Sequence, residues 1–124
     1  KKWPYYDQLI KLIKQNHPNL KIVIAPGPDE IEKAKKLDAV SILKEDKAIS
    51  ISELAGLIKR SKFVVANDTG PAHMAAHLNV KGLSLFGSHT TAHKVSIERE
   101  NFKAIQVSDL KNLSAEKVFE RLDL

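Results

Sequence analysis

The sequence predicts an α/β protein: a doubly wound, mainly parallel sheet with helices on both faces. Two observations predict it. Five short apolar runs alternate with segments of helical periodicity along the 124 residues. Each run is too short and too uniformly apolar to be the arm of a half-exposed hairpin, which suits parallel strands covered on both sides. The length suits one domain with one core, assigned here to residues 1–124.

The elements follow in order. Tyr6, Leu9, Ile10 and Ile13 form one apolar helix stripe. Pro4 suits a first turn, and Pro18 forces an end near Asn16. LKIVIA, 20–25, reads as a buried strand, PGPDEIEKAKKL as a helix with Ile31, Ala34 and Leu37 inward, and AVSIL, 39–43, as a second strand. Ser50 and Glu53 have capping-box spacing, with Ile49 and Leu54 placed as a hydrophobic staple. KFVVA, 62–66, is the third strand, and GPAHMAAHL the helix after it. GLSLF, 82–86, and KAIQV, 103–107, complete the strands, and Ser114 caps a last helix with Val118, Phe119 and Leu122 inward. Residues 87–101 make the longest expected loop.

Composition narrows the function. No apolar run approaches the roughly 20 residues of a membrane helix. Cysteine is absent, so disulfides and thiolate metal sites are excluded. The net charge of +5 favours anionic partners or describes a solvated lysine-rich face. Aromatic residues make up 6% and do not interleave with a basic stripe, so no nucleic-acid platform is expected.

Chemistry is expected at the corners, because ligands of open parallel sheets bind at the carboxyl ends of the strands. Two corners share a Gly-Pro pair. LKIVIA runs into Pro26, Gly27, Pro28, Asp29 and Glu30, and KFVVA into Asn67, Asp68, Thr69, Gly70 and Pro71. In both, the glycine is expected to allow a tight turn and the proline to open the helix. The second corner is the better anion site. A helix N-terminus offers unpaired N–H groups, Thr69 a hydroxyl, His73 a ring N–H, and Gly70 close approach. In the alternative reading, Asp68 or Thr69 caps the helix and His73 is solvated. Asp29 and Glu30 either match a helix dipole or accept hydrogen bonds from ribose hydroxyls.

The histidines pair at i, i+4 in HMAAH (73–77) and HTTAH (89–93). Met74 stands where a zinc protease needs its general-base glutamate, and no further ligand set is evident. No metal is expected. No nucleophile elbow, Walker loop or GxGxxG motif occurs.

KKWP at the start, SISELAGLIKRSKFVVANDTGPAHMAAHL in the middle and LSLFGS after it together resemble glycosyltransferase family 9, the ADP-heptose:lipopolysaccharide heptosyltransferases. The D-[ST]-G-x-x-H core stands as Asp68, Thr69, Gly70, Pro71, Ala72 and His73. The resemblance implies the Rossmann-like, donor-binding carboxyl-terminal half of a GT-B enzyme that transfers heptose with inversion to the lipopolysaccharide inner core. It places that enzyme in the cytoplasm, at the cytoplasmic face of the inner membrane. By position, Thr69, Gly70 and His73 would hold the diphosphate, with Asp68 beside the sugar-nucleotide. Lys1 or Lys2 would supply a cation, Glu30 would approach the ribose, and Ile49 would lie against adenine. No cofactor beyond the ADP-heptose donor is implied, and the catalytic base would belong to an amino-terminal acceptor domain absent from these residues.

The family's carboxyl-terminal domain opens with a strand and a small-residue loop ahead of K-x-W-P. That strand lies between those matching LKIVIA and KFVVA. Its absence predicts either direct pairing of the two or, as the preferred outcome, a strand-exchanged homo-oligomer. Competing readings are a non-catalytic nucleotide- or carbohydrate-binding module and a histidine metal-binding module.

Overall fold

A computed structural model describes residues 3–67, 69–87 and 98–124. Helix α1 (Tyr6–Asn16) leads to strand β1 (Val23–Ile24), helix α2 (Ile31–Lys35) and strand β2 (Val40–Ser41). Helix α3 (Ile51–Lys59), strand β3 (Val64–Asn67), helix α4 (Gly70–His77) and strand β4 (Gly82–Phe86) follow. Strand β5 (Phe102–Gln106), a 3-10 turn (Leu110–Asn112) and helix α5 (Ala115–Glu120) complete the chain.

All strand pairs are parallel, as expected, but they form two sheets, β1–β2 and β3–β4–β5. Strands β1 and β3 are not partners, so the direct pairing of LKIVIA with KFVVA does not occur among the described residues. LKIVIA and AVSIL also shrink to two-residue strands, half-buried in β1 and half-exposed at Val40 in β2. Each has one ladder to hold it, and strand length is set by partners rather than by apolar content.

The three-stranded sheet is the middle layer. On one face Phe86, Phe102 and Ala104 pack against Ile58 of α3 and Ala72, Ala75 and Ala76 of α4. On the other, Leu83 and Leu85 pack against Trp3, Leu9, Ala115 and Val118 from the α1 and α5 side. Successive residues of β4 thus serve opposite faces, and all five are buried. The alanines of α4 let that helix lie close to the sheet.

Local signals locate the helix ends. Ser50 Oγ accepts from the Glu53 N–H at 3.2 Å, and Glu53 Oε1 accepts from the Ser50 N–H at 2.9 Å, which completes the expected capping box. These bonds hold the Glu53 carboxyl below its usual range, with Lys44 adding a smaller pull. Ser114 Oγ caps α5 by accepting from the Lys117 N–H at 3.2 Å. Helix α1 ends at Asn16, where Pro18 predicts.

The first Gly-Pro corner departs from expectation. Pro28 to Glu30 form a turn, closed by the Glu30 N–H on the Gly27 carbonyl at 3.0 Å, and α2 starts only at Ile31. Pro28 therefore occupies the second position of a β-turn, which its fixed φ suits, rather than a helix start. No glycine has positive φ, so neither corner uses the left-handed freedom expected of Gly27 and Gly70.

Gly82 is needed for another reason. A Cβ there would lie 2.5 Å from Phe102 Cε2 and 2.6 Å from the Val64 carbonyl oxygen. The ring can shift, but the β3 backbone cannot. Gly82→Ala is therefore expected to destabilise the fold by about 1–3 kcal/mol, the range for overpacking a filled core. A denaturant midpoint equal to wild type would contradict this packing.

Candidate functional site: the strand-to-helix corner after β3

The parallel register brings the carboxyl ends of the three strands level, with Asn67 opposite Leu85 and Phe86 opposite Gln106. At that edge β3 turns into α4. Thr69 holds the cap position in extended conformation, and Gly70 and Pro71 open the helix, as predicted for this corner. The Thr69 side chain does not cap. Its hydroxyl instead donates back to the Asn67 carbonyl at 3.2 Å, so the capping alternative fails for Thr69.

The donors of the first turn can be counted. Pro71 has no N–H, and the N–H groups of Ala72 and His73 point to the Thr69 carbonyl at 3.1 and 3.3 Å. The Gly70 N–H has no hydrogen-bond partner among the described residues. It sits at the positive end of the helix dipole, about half a unit charge. A Cβ at Gly70 would meet open space, and its φ is not left-handed. Nothing among the described residues requires glycine there. Thr69 and Gly70 are exposed, and His73 is half-buried one turn into α4.

Of the other expected residues, Glu30 and Ile49 are among those described. Glu30 is exposed, and its carboxylate folds over Gly27, where a Cβ would stand 3.3 Å from Oε1. Gly27 thus opens the tight turn and, having no Cβ, leaves room for that carboxylate. Ile49 is half-buried immediately before the α3 cap, while Ile51 two residues on is 77% exposed. Lys1, Lys2 and Asp68 lie outside the described residues, as do His89 and His93 of the second histidine pair. Of the first pair, His77 is exposed, and no three potential ligands among His, Cys, Asp and Glu cluster among the described residues.

Sequence reasoning missed Tyr6 and Ser84. Tyr6 was read as one position of a core stripe, yet its hydroxyl donates to Asn67 Oδ1 at 2.6 Å, directly at the corner. Burial pushes its phenol well above the usual range, and the Glu30 carboxylate adds to the rise. Ser84, fully buried in β4, donates to the Asn67 carbonyl at 3.4 Å. A polar residue amid the apolar run GLSLF was the available signal.

A cavity of about 160 Å³ lies at the opposite edge, beside Phe63, Lys81, Gly82 and Lys103. It adjoins the amino ends of the strands, where the Lys81–Asp123 ion pair closes at 2.9 Å. Ligands of parallel sheets bind at the other end, so the corner after β3 is the better candidate.

Comparison with known proteins agrees with the resemblance in the sequence. The chain is 29% identical over 114 residues to lipopolysaccharide heptosyltransferase 1 of Campylobacter coli, covering 85% of this chain and 33% of that protein. The solved structure of E. coli heptosyltransferase WaaC with ADP superposes with a TM-score of 0.81 at 26% identity, covering 97% of this chain and 38% of WaaC. The chain thus spans about a third of the length of these relatives. The sequence profile of glycosyltransferase family 9 (heptosyltransferase) matches residues 1–122, and the chain belongs to that family.

Proposed function

We propose that this chain is the donor-binding part of an inverting heptosyltransferase that moves heptose from ADP-heptose to the lipopolysaccharide inner core. One observation carries the reading. The first turn of α4 sets an exposed Thr69, the Gly70 N–H and a half-buried His73 on one turn at the carboxyl edge of a parallel sheet. The solved relative WaaC carries ADP, which fits a nucleotide diphosphate as the ligand.

The chemistry follows from that turn. Negative charge grows on the diphosphate as the glycosidic bond breaks. Donors already fixed in place lower the barrier without reorganising. The Gly70 N–H and helix dipole act on one oxygen, and His73 is one turn further along the helix. The single Thr69 proton is spent on Asn67, so the hydroxyl must rotate to donate to a phosphate. Asp68 sits beside the sugar-nucleotide, Lys1 or Lys2 adds a cation, Glu30 receives the ribose hydroxyls and Ile49 lies against adenine. The acceptor and the general base belong to a separate amino-terminal domain. The enzyme works at the cytoplasmic face of the inner membrane, where a net charge of +5 favours acidic headgroups.

His73→Ala in the whole enzyme is expected to weaken ADP binding by about 1–3 kcal/mol, the worth of a charge-assisted hydrogen bond. Calorimetry with unchanged ADP affinity would refute the site. Transfer activity is expected to survive chelation and dialysis. Loss of activity restored by zinc alone would return the histidine pairs to consideration as ligands.

Strands β1 and β3 each keep one edge without a strand partner among the described residues. Such edges recruit further strands. Residues 1–124 expressed alone are expected to self-associate by strand exchange, and sedimentation as a monomer at roughly tens of micromolar would argue against it.

A further inference from the structure

The α4 corner is held from the far face of the sheet. Tyr6 begins α1, which packs in the cluster of Trp3, Leu83 and Leu85, opposite to α4. Its hydroxyl crosses to Asn67 Oδ1 at 2.6 Å, linking residues 61 apart in sequence. Asn67 is the last residue of β3, and its carbonyl accepts from both Thr69 Oγ1 at 3.2 Å and Ser84 Oγ at 3.4 Å. Asn67 is thus fixed at its side chain by α1, at its carbonyl by β4, and to the first turn of α4 by Thr69.

The phenol is itself held in place. The Trp3 ring meets Tyr6 edge-on at 4.9 Å and 83°, and Trp3 Nε1 donates to the Leu113 carbonyl at 2.7 Å. A phenol is protonated at neutral pH, and its one proton is here committed to Asn67.

We infer that Tyr6 is a positioning residue for the diphosphate: acting through Asn67, it sets where β3 ends and therefore where Thr69 and the Gly70 N–H stand. The inference rests on the α4 corner being the diphosphate site. Small displacements of fixed donors are costly, because electrostatic stabilisation depends on donors already aimed at the ligand.

The test uses the whole enzyme and ADP as the probe. Tyr6→Phe keeps the ring, and with it the Trp3 contact, and removes only the donor. It is expected to weaken ADP binding about 3- to 10-fold, the loss of one net hydrogen bond read out as affinity. Tyr5→Phe is the control. The Tyr5 hydroxyl donates to the Lys111 carbonyl at 2.7 Å, and its ring also meets Trp3 edge-on, but it serves the 3-10 turn rather than the corner. It is expected to lower the melting temperature comparably and leave ADP affinity unchanged. Asn67→Ala is expected to weaken ADP binding at least as much as Tyr6→Phe, and the double variant no more than Asn67→Ala alone. Wild-type ADP affinity in Tyr6→Phe overturns the inference, as does an equal loss in Tyr5→Phe, or additive losses in the double variant. If Tyr6→Phe does not fold, Asn67→Ala with wild-type ADP affinity overturns it instead. His73→Ala separates the two levels: unchanged affinity there removes the site itself, while a loss there with none in Tyr6→Phe removes only the role of Tyr6.

Discussion

Strand β4 is the constraint on which the described structure depends. All five of its residues are buried, with partners on both edges and helices over both faces. A parallel strand in that position cannot exchange faces without moving Leu83 and Leu85 into the alanine-rich layer under α4 and Phe86 into the Trp3 cluster. Its register therefore sets the height of β3 and β5. Gly82 shows how closely that register is packed, since β3 and the Phe102 ring leave no room for a methyl group. The level carboxyl edge that results is where the α4 corner stands.

At that edge stability and function divide the hydrogen bonds between them. Most first-turn donors of α4 are either absent, as at Pro71, or directed to the Thr69 carbonyl. The Gly70 N–H keeps no partner among the described residues, beside an exposed threonine and a half-buried histidine. A helix start with little side-chain capping is a weak stabiliser and a good anion site, because the positive end of the dipole is left for a ligand. Helix α3 is capped by side chains instead, with both halves of a capping box in place.

The segment around Trp3 carries more than its position near the chain's first residues suggests. The buried indole ties the start of α1 to the 3-10 turn before α5 and orients two tyrosines. One secures the turn, and the other reaches the carboxyl edge of the sheet at Asn67. This gives the W-P segment of the family resemblance a structural reason separate from the lysines beside it. It joins the start of α1 to the 3-10 turn and to the end of β3.

The sequence by itself determined what is local. The Ser50–Glu53 box, the stop before Pro18, the cap at Ser114 and the Gly70-Pro71 helix start involve residues within about four positions of one another. Their geometry needs no knowledge of the fold. The alternation of strands and helices, and the placing of Thr69, Gly70 and His73 on one turn, were legible for the same reason. Tertiary structure alone decided how long each strand runs, because strands extend only where a neighbour completes the ladder. LKIVIA and KFVVA look alike in sequence, yet they become strands of two and four residues. It also decided that Gly27 accommodates the Glu30 carboxylate and that Gly82 faces Phe102. The links from Trp3 to Leu113 and from Tyr6 to Asn67 span 110 and 61 residues, and no periodicity or spacing rule reaches that far. Tyr6 therefore read as a core position until the packing of α1 placed its hydroxyl at the corner.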